Sequence, residues 1–269
     1  MMRNLDGKVI LITGGAAGIG KIMGQIVLQK GAELVIWDIN QEKINETVAE
    51  LTKFGKVNAF KVDVSNIEMV NETAKKVKAE IGTVDVLINN AGIVVGKYFH
   101  EHSKEDIIRT MDINTNAPMF ITQAFLPDMM EQNSGHICNI ASTAGIISNP
   151  KMSVYAASKW AALGWSDSLR LEMQQLKKDI KVTTVLPYYI NTGMFNGVQS
   201  KIPILEPEVV AKKVINAIEK DKIMLTTPNW VYGITRLGQA LMPIRLFDWF
   251  AGNVLGIYKT MSHFEGHKK

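Results

Sequence analysis

Tyr155 and Lys159 stand four positions apart in "YAASK", with only Ala156, Ala157 and Ser158 between them. On a helix they share one face, with Cβ atoms about 5–6 Å apart. A free phenol ionises near pH 10, too high to exchange its proton readily at neutral pH. An ammonium about 4 Å away, at an effective dielectric of about 20, favours the phenolate by up to about 4 kcal/mol. The pair therefore predicts a phenol drawn towards neutrality against the opposing effect of burial. Such a phenol is a reversible general acid and base. Taken alone, the same spacing also fits an ordinary amphipathic helix with a snorkelling lysine, so other residues must decide.

A second chemical feature lies near the start. The apolar run "KVILIT" leads into "TGGAAGIG", with Gly14, Gly18 and Gly20 in a G-x-x-x-G-x-G spacing ahead of a helical pattern. Glycine lets a backbone turn tightly and approach a pyrophosphate without an intervening Cβ. The helix start then offers unpaired N–H groups and a partial positive charge to that anion. The next apolar run, "ELVIWD", ends in Asp38, at the interval expected of an acid that binds a ribose diol. A carboxylate there would repel a 2′-phosphate, Ala16 and Ala17 carry no charge, and no arginine follows Asp38 directly. These residues favour NAD(H) over NADP(H). The plainer alternative is that Asp38 caps the following helix.

To position these groups the chain needs strands that end at a common edge. Apolar runs at 8–13, 33–38, 56–63, 84–90, 135–141, 181–187 and 222–227 read as strands, most of them too uniformly apolar to have a wet face. Helical patterns lie between them near 18–30, 41–54, 66–81, 103–132, 153–178 and 206–220. This alternation predicts an α/β fold, a doubly wound parallel sheet with right-handed crossovers and helices on both faces. Without a repeat or linker, the 269 residues read as one domain, a core over 6–227 and an extension over 228–269.

The bulk properties exclude several classes. Thirty basic and 26 acidic residues are interspersed, so the net charge of +4 reads as a solvated surface rather than a nucleic-acid interface. The lone Cys138, in the apolar run "HICNIAS", excludes an internal disulfide and reads as a small buried thiol in a reducing, cytoplasmic compartment. At most six residues precede the first strand, too few for a signal sequence or an anchor. No run reaches the roughly 18 uninterrupted apolar residues of a spanning helix. His263 and His267 share helical spacing, but the glycine between them and their terminal position favour a frayed tail over a metal site.

With "NNAG" at 89–92 added to the glycine loop and the Y-x-x-x-K pair, the chain resembles the short-chain dehydrogenase/reductase family over roughly residues 6–227. The resemblance implies a Rossmann-type domain with a seven-stranded parallel sheet. It implies cofactor contacts at Gly14, Ala17, Gly18, Ile19, Gly20 and Asp38. Asp63 and Val64 match the positions near the adenine, and Asn89, Asn90, Ala91 and Gly92 border the cofactor and steady the central strand. Pro187, Ile190 and Thr192 belong to the segment at the nicotinamide end, where Tyr188 replaces a glycine common in the family. Tyr155 and Lys159 match the catalytic pair, Ser142 the serine that binds the substrate oxygen, and Asn114 the asparagine that holds a site water. "ELVIWDIN", "DINTNAPMFITQAFLPDMM" and the apolar tail look closest to the 17β-hydroxysteroid dehydrogenase type 11-like and retinol dehydrogenase-like branch. Relatives there often use an N-terminal apolar segment for membrane association, and none is seen here.

The implied activity is NAD-dependent interconversion of a hydrophobic alcohol, steroid-, retinoid- or fatty-alcohol-like, and its carbonyl. Two competing readings are a ketoacyl- or sugar-type reductase and a lipid-surface-binding protein that keeps the fold. In the family the helices at 103–132 and 153–178 commonly pair, implying a homodimer or homotetramer. Residues 229–258 are rich in Trp, Leu, Ile and Phe, with Pro243 breaking any single helix. They read as packing on the domain or a partner subunit, a lid over an apolar pocket, or a peripheral membrane contact. Arg236, Arg245 and Asp248 argue against full insertion.

Overall fold

Apolar residues buried on both faces form most of the strands. The computed structural model describes residues 4–266, and among them β1 (Val9–Thr13), β2 (Glu33–Asp38), β3 (Val57–Lys61), β4 (Val86–Asn89), β5 (Gly135–Ile140), β6 (Ile180–Pro187) and β7 (Met224–Thr227) form one sheet. Every pairing is parallel, as the sequence pattern predicts, and the order is β3-β2-β1-β4-β5-β6-β7. Successive side chains supply opposite faces. Ile10, Ile12, Leu34 and Ile36 enter one apolar core, while Leu11, Val35 and Trp37 enter the other. The strand order reverses between β1 and β4, so a crevice opens beyond their carboxyl ends.

Helices α1 (Gly18–Leu28), α2 (Gln41–Leu51) and α7 (Pro207–Glu219) help cover the first face. Helices α3 (Ile67–Glu80), α5 (Ala117–Glu131) and α6 (Ser153–Gln175) cover the second. Their starts carry local signals. Asn40 accepts a hydrogen bond from Lys43 N at 3.0 Å, and Asn66 one from Met69 N at 2.9 Å.

One predicted helix departs from expectation. The segment 103–132 is not continuous: α4 (Lys104–Met111) passes into a π-helical turn, Asp112–Asn116, before α5. Apolar periodicity runs through the turn, so the pattern alone hides it. The inserted turn carries Asn114 and Thr115 towards α6, where they bond Ser158, an interaction that residue spacing does not reveal.

Beyond β7 the chain forms α8 (Asn229–Leu241), α9 (Ile244–Trp249), a π turn (Phe250–Val254) and a short 3₁₀ turn (Ile257–Lys259), with Pro243 separating the two helices. The inner face packs on the domain: Phe247, Ala251 and Ile257 join Ile147 in a small apolar cluster. No helix among the described residues is long and apolar enough to cross a membrane. Cys138 is fully buried in β5, and burial pushes its thiol up, away from reactivity. His263 is exposed in the tail, whereas His267 lies outside the described residues.

Candidate active site

A cavity of about 410 Å³ runs along the carboxyl ends of the strands. One end is built from backbone. After β1 the chain turns at Gly14, φ 61°, and again at Gly18, φ 53°, both conformations that suit glycine. A Cβ on Gly14 would sit 3.1 Å from Ala91 Cα. Thr13 Oγ1 accepts hydrogen bonds from Asn90 N and Ala91 N at 3.0 Å each, and Asn90 Nδ2 donates to the Thr13 and Gly14 carbonyls. The glycine loop and the "NNAG" turn are thereby tied edge to edge. The first-turn amides of α1 have no partners within their helix, which suits an anion.

Asp38 closes this end. Its carboxylate accepts from Ala16 N and Asn40 N, both at 3.1 Å, while Asn40 is the residue that caps α2. The helix-capping alternative for Asp38 therefore falls. Asp63, whose carboxylate is bound by Ser65, and Val64 line the same end, and Arg109 from α4 lines the same cavity. Arg109 was not foreseen as a cation here, since it comes from a helix 71 residues beyond Asp38.

The reactive groups lie further along. Tyr155 and Lys159 share a face of α6 and, like Ser142 just past β5, are buried yet line the cavity. The turn after Ser142 runs so close to α6 that a Cβ on Gly145 would come within 2.7 Å of the Lys159 carbonyl oxygen. Behind the cavity, Asn139 bonds Ser166 of α6 at 2.9 Å, and Ser166 bonds Thr184 of β6 at 2.6 Å, so α6 is pinned to the sheet.

The ion-pair expectation for the phenol is not met. Lys159 Nζ donates to the Ile140 carbonyl at 2.9 Å and lies 5.7 Å from the Tyr155 ring centroid. Burial dominates both groups: it pushes Tyr155 up to about 12, opposed by hydrogen bonding with Ser142, and pulls Lys159 down to about 8. Removing two groups from water favours their neutral forms, and that outweighs an attraction aimed elsewhere.

Most sequence-predicted residues converge. Gly14, Ala17, Gly18, Ile19, Asp38, Asp63, Val64, Asn90, Ala91, Gly92, Ser142, Tyr155, Lys159, Pro187, Ile190 and Thr192 all line the cavity. Three others lie behind its wall. Gly20 is a packing residue, because a Cβ there would overlap the Gly14 carbonyl oxygen. Asn89 points away, its Nδ2 donating to Asn139 at 2.8 Å and Thr122 at 3.1 Å. Asn114 bonds Ile93 N and O, both at 2.9 Å, and Ser158 Oγ at 3.1 Å. It braces the "NNAG" turn against α6.

The other end of the cavity is aromatic. Phe195 stands edge-on to Tyr155, centroids 6.2 Å apart at 83°, and to Tyr189, 5.0 Å apart at 72°. Tyr189 Oη contacts Asn149 Nδ2 at 3.1 Å and Thr260 Oγ1 at 2.9 Å, while Tyr188 Oη contacts Ser200 Oγ at 2.8 Å. Ile257 completes the wall. The C-terminal extension also straps the loop that carries Phe195: Gln199 N donates to the Thr260 carbonyl, Glu265 N to that of Asn196, and Lys201 Nζ to those of Asn253 and Val254. Sequence reasoning gave the tail as a possible lid, but not that it bonds the loop that carries Phe195.

A glycine-lined cradle, a ribose-range acid and an apolar slot at Val64, Ala91 and Ile113 suit a dinucleotide in shape and charge. Residues 8–203 match the family model for short chain dehydrogenase. The mouse (Mus musculus) protein "Epidermal retinol dehydrogenase 2" is 38% identical over 274 residues, covering 99% of this chain and 88% of that one. Human (Homo sapiens) "Estradiol 17-beta-dehydrogenase 11" is 37% identical over 242 residues, covering 89% and 81%. Among solved structures, a short chain dehydrogenase/reductase from Burkholderia phymatum in complex with NAD superposes with a TM-score of 0.82 at 26% identity, covering 89% of this chain and 95% of that chain.

Proposed function

The chain belongs to the short-chain dehydrogenase family, and from that premise we propose that it interconverts a hydrophobic alcohol and its carbonyl with NAD(H) as partner. The observation that carries this reading is convergence. Ser142, Tyr155 and Lys159 line the same cavity as the glycine loop and Asp38, with an aromatic chamber beyond them. When bound, an oxidised nicotinamide would supply the hydride acceptor and a positive charge that favours the phenolate.

The chain's own residues do the rest. Ser142 Oγ hydrogen-bonds the substrate oxygen and holds it against Tyr155 Oη. Tyr155 takes the hydroxyl proton as the carbonyl forms, and returns it in the reverse direction. Hydrogen bonding from Ser142 favours the phenolate that this transfer requires. Lys159 lines the cavity beside Gly92, where an added Cβ would stand 3.7 Å from Nζ, and would bond a ribose hydroxyl of the cofactor. Asp38 would accept hydrogen bonds from the adenosine ribose, and the amides at the start of α1 would hold the pyrophosphate. Phe195, Tyr189 and Ile257 exclude water from the reacting carbon and favour an apolar alcohol. Retinol and estradiol, for which those relatives are named, are apolar alcohols that suit that chamber's chemistry.

A panel of retinol, a steroid alcohol, a long aliphatic alcohol and ethanol, assayed by nicotinamide absorbance with NAD⁺ and with NADP⁺, tests the proposal. Turnover of the large apolar alcohols with NAD⁺ and little with ethanol is expected. Arg109 in the cavity wall gives the phosphorylated cofactor its one structural argument. Turnover with NADP⁺ alone would overturn the role of Asp38.

A further inference from the structure

Helix α8 carries two apolar stripes where packing needs one. Val231, Thr235 and Gly238 form the buried stripe. Trp230, Ile234, Leu237 and Leu241 form another, within about 60° of one another at 3.6 residues per turn and about 100° away from the first. This second stripe faces solvent: Leu237 and Leu241 are 61% and 73% exposed. It continues past Pro243 into α9, where Ile244 and Trp249 are 76% and 58% exposed, and on to Val254. Single exposed apolar side chains are commonplace, but a continuous row on consecutive helices is a docking surface.

Charge selects the occupant. From Lys222 to Phe247 the sequence holds Lys222, Arg236 and Arg245, and no Asp or Glu. Arg236 rests over the Trp160 and Tyr232 rings, 5.9 and 5.6 Å from their centroids, and Arg245 is exposed beside Ile244. A symmetric second copy would bring these arginines against their own counterparts, and the one acid on α8 and α9, Asp248, is already taken by Tyr258 Oη at 2.7 Å. Anionic lipid headgroups supply the missing charge, and tryptophan favours the boundary between headgroup and acyl chain. We propose that the outer face of α8 and α9 seats the protein on an anionic lipid surface, the helices lying in the interface. The inner face of the same segment walls the cavity through Ile257, so an alcohol dissolved in that lipid has a short path to Tyr155.

Vesicle flotation of the full chain tests this, with phosphatidylcholine alone and with phosphatidylcholine–phosphatidylserine. The wild type should float with the mixed vesicles. Combined Leu241→Gln, Ile244→Gln and Trp249→Gln should lower the partition coefficient by about a hundredfold or more. Combined Arg236→Gln and Arg245→Gln should lower it about tenfold on anionic vesicles only. The glutamine variants alter exposed positions, so unchanged near-ultraviolet circular dichroism and NAD affinity certify folding. No flotation of the wild type, equal flotation of the triple variant, or indifference to phosphatidylserine would each overturn the proposal. So would a dimer, seen by sedimentation, that the triple variant dissociates without any lipid binding, because the face then belongs to a second copy.

Discussion

The two ends of the cavity are built by opposite means. The cradle end uses backbone from neighbouring stretches: the Gly14–Gly18 turn, the "NNAG" turn and one carboxylate, Asp38, all set by strand ends. The chamber end uses side chains brought together from far apart, such as Asn149, Tyr189 and Thr260, where Asn149 and Thr260 are separated by 111 positions. Backbone cradles recognise what every member of a family shares, a pyrophosphate and a ribose. Side-chain chambers recognise what differs, the carbon skeleton of the substrate. A mutation at one end should therefore change cofactor affinity, and one at the other end substrate choice, with little leakage between them.

The sharpest break in that division is Gly20→Ala. Its Cβ would collide with the Gly14 carbonyl and press on the Asn90 side-chain amide that ties the cradle together. NAD affinity, read by fluorescence titration, should fall by several hundredfold, equivalent to about 3–4 kcal/mol. Substrate preference among the alcohols that still turn over should stay the same.

Lys159 sits on the boundary and tests the cost of a buried cation. Its folded value near 8, against an ordinary value of 10.5, means that the unfolded chain binds more protons between those pH values. Stability therefore rises with pH from about 8 to 10.5, by up to about 3 kcal/mol from this residue alone. Urea denaturation of the wild type and Lys159→Met at pH 7 and pH 10 isolates the effect. The variant should gain relative stability at pH 7, and the gain should shrink at pH 10. Tyr155 acts in the other sense, since a phenol raised to about 12 loses its stabilising contribution only above pH 10.

A smaller effect is expected from Phe195→Ala at the chamber end. The ring contacts both Tyr155 and Tyr189 edge-on. Losing it should lower kcat/KM for a bulky alcohol about tenfold, through KM more than kcat, and leave NAD affinity within about twofold. A larger change in NAD affinity would show that the two ends are not separable.

The same contrast explains what could be read in the sequence. The strands, the glycine loop, Asp38 and the Tyr155–Lys159 face were legible because each is a local pattern: an apolar run, a turn residue, a helical spacing. The π turn at Asp112–Asn116 was not, because helical periodicity runs on through it. Nor was the direction in which burial shifts Tyr155 and Lys159. Spacing gives their proximity, but only three-dimensional burial and the Ile140 carbonyl show where the ammonium points. The strap between Gln199, Asn196 and the C-terminal tail is invisible to any pattern, being made of backbone hydrogen bonds between distant loops.

The central claim is that the Tyr155 phenol moves the substrate proton, and Tyr155→Phe tests it most directly. The substitution removes one oxygen and keeps the ring that packs against Phe195. Single-turnover oxidation with NAD⁺ should slow by about a thousandfold or more, while NAD affinity measured on the same sample stays within about twofold of wild type. A variant that binds NAD normally and still oxidises alcohol at close to the wild-type rate would contradict the account.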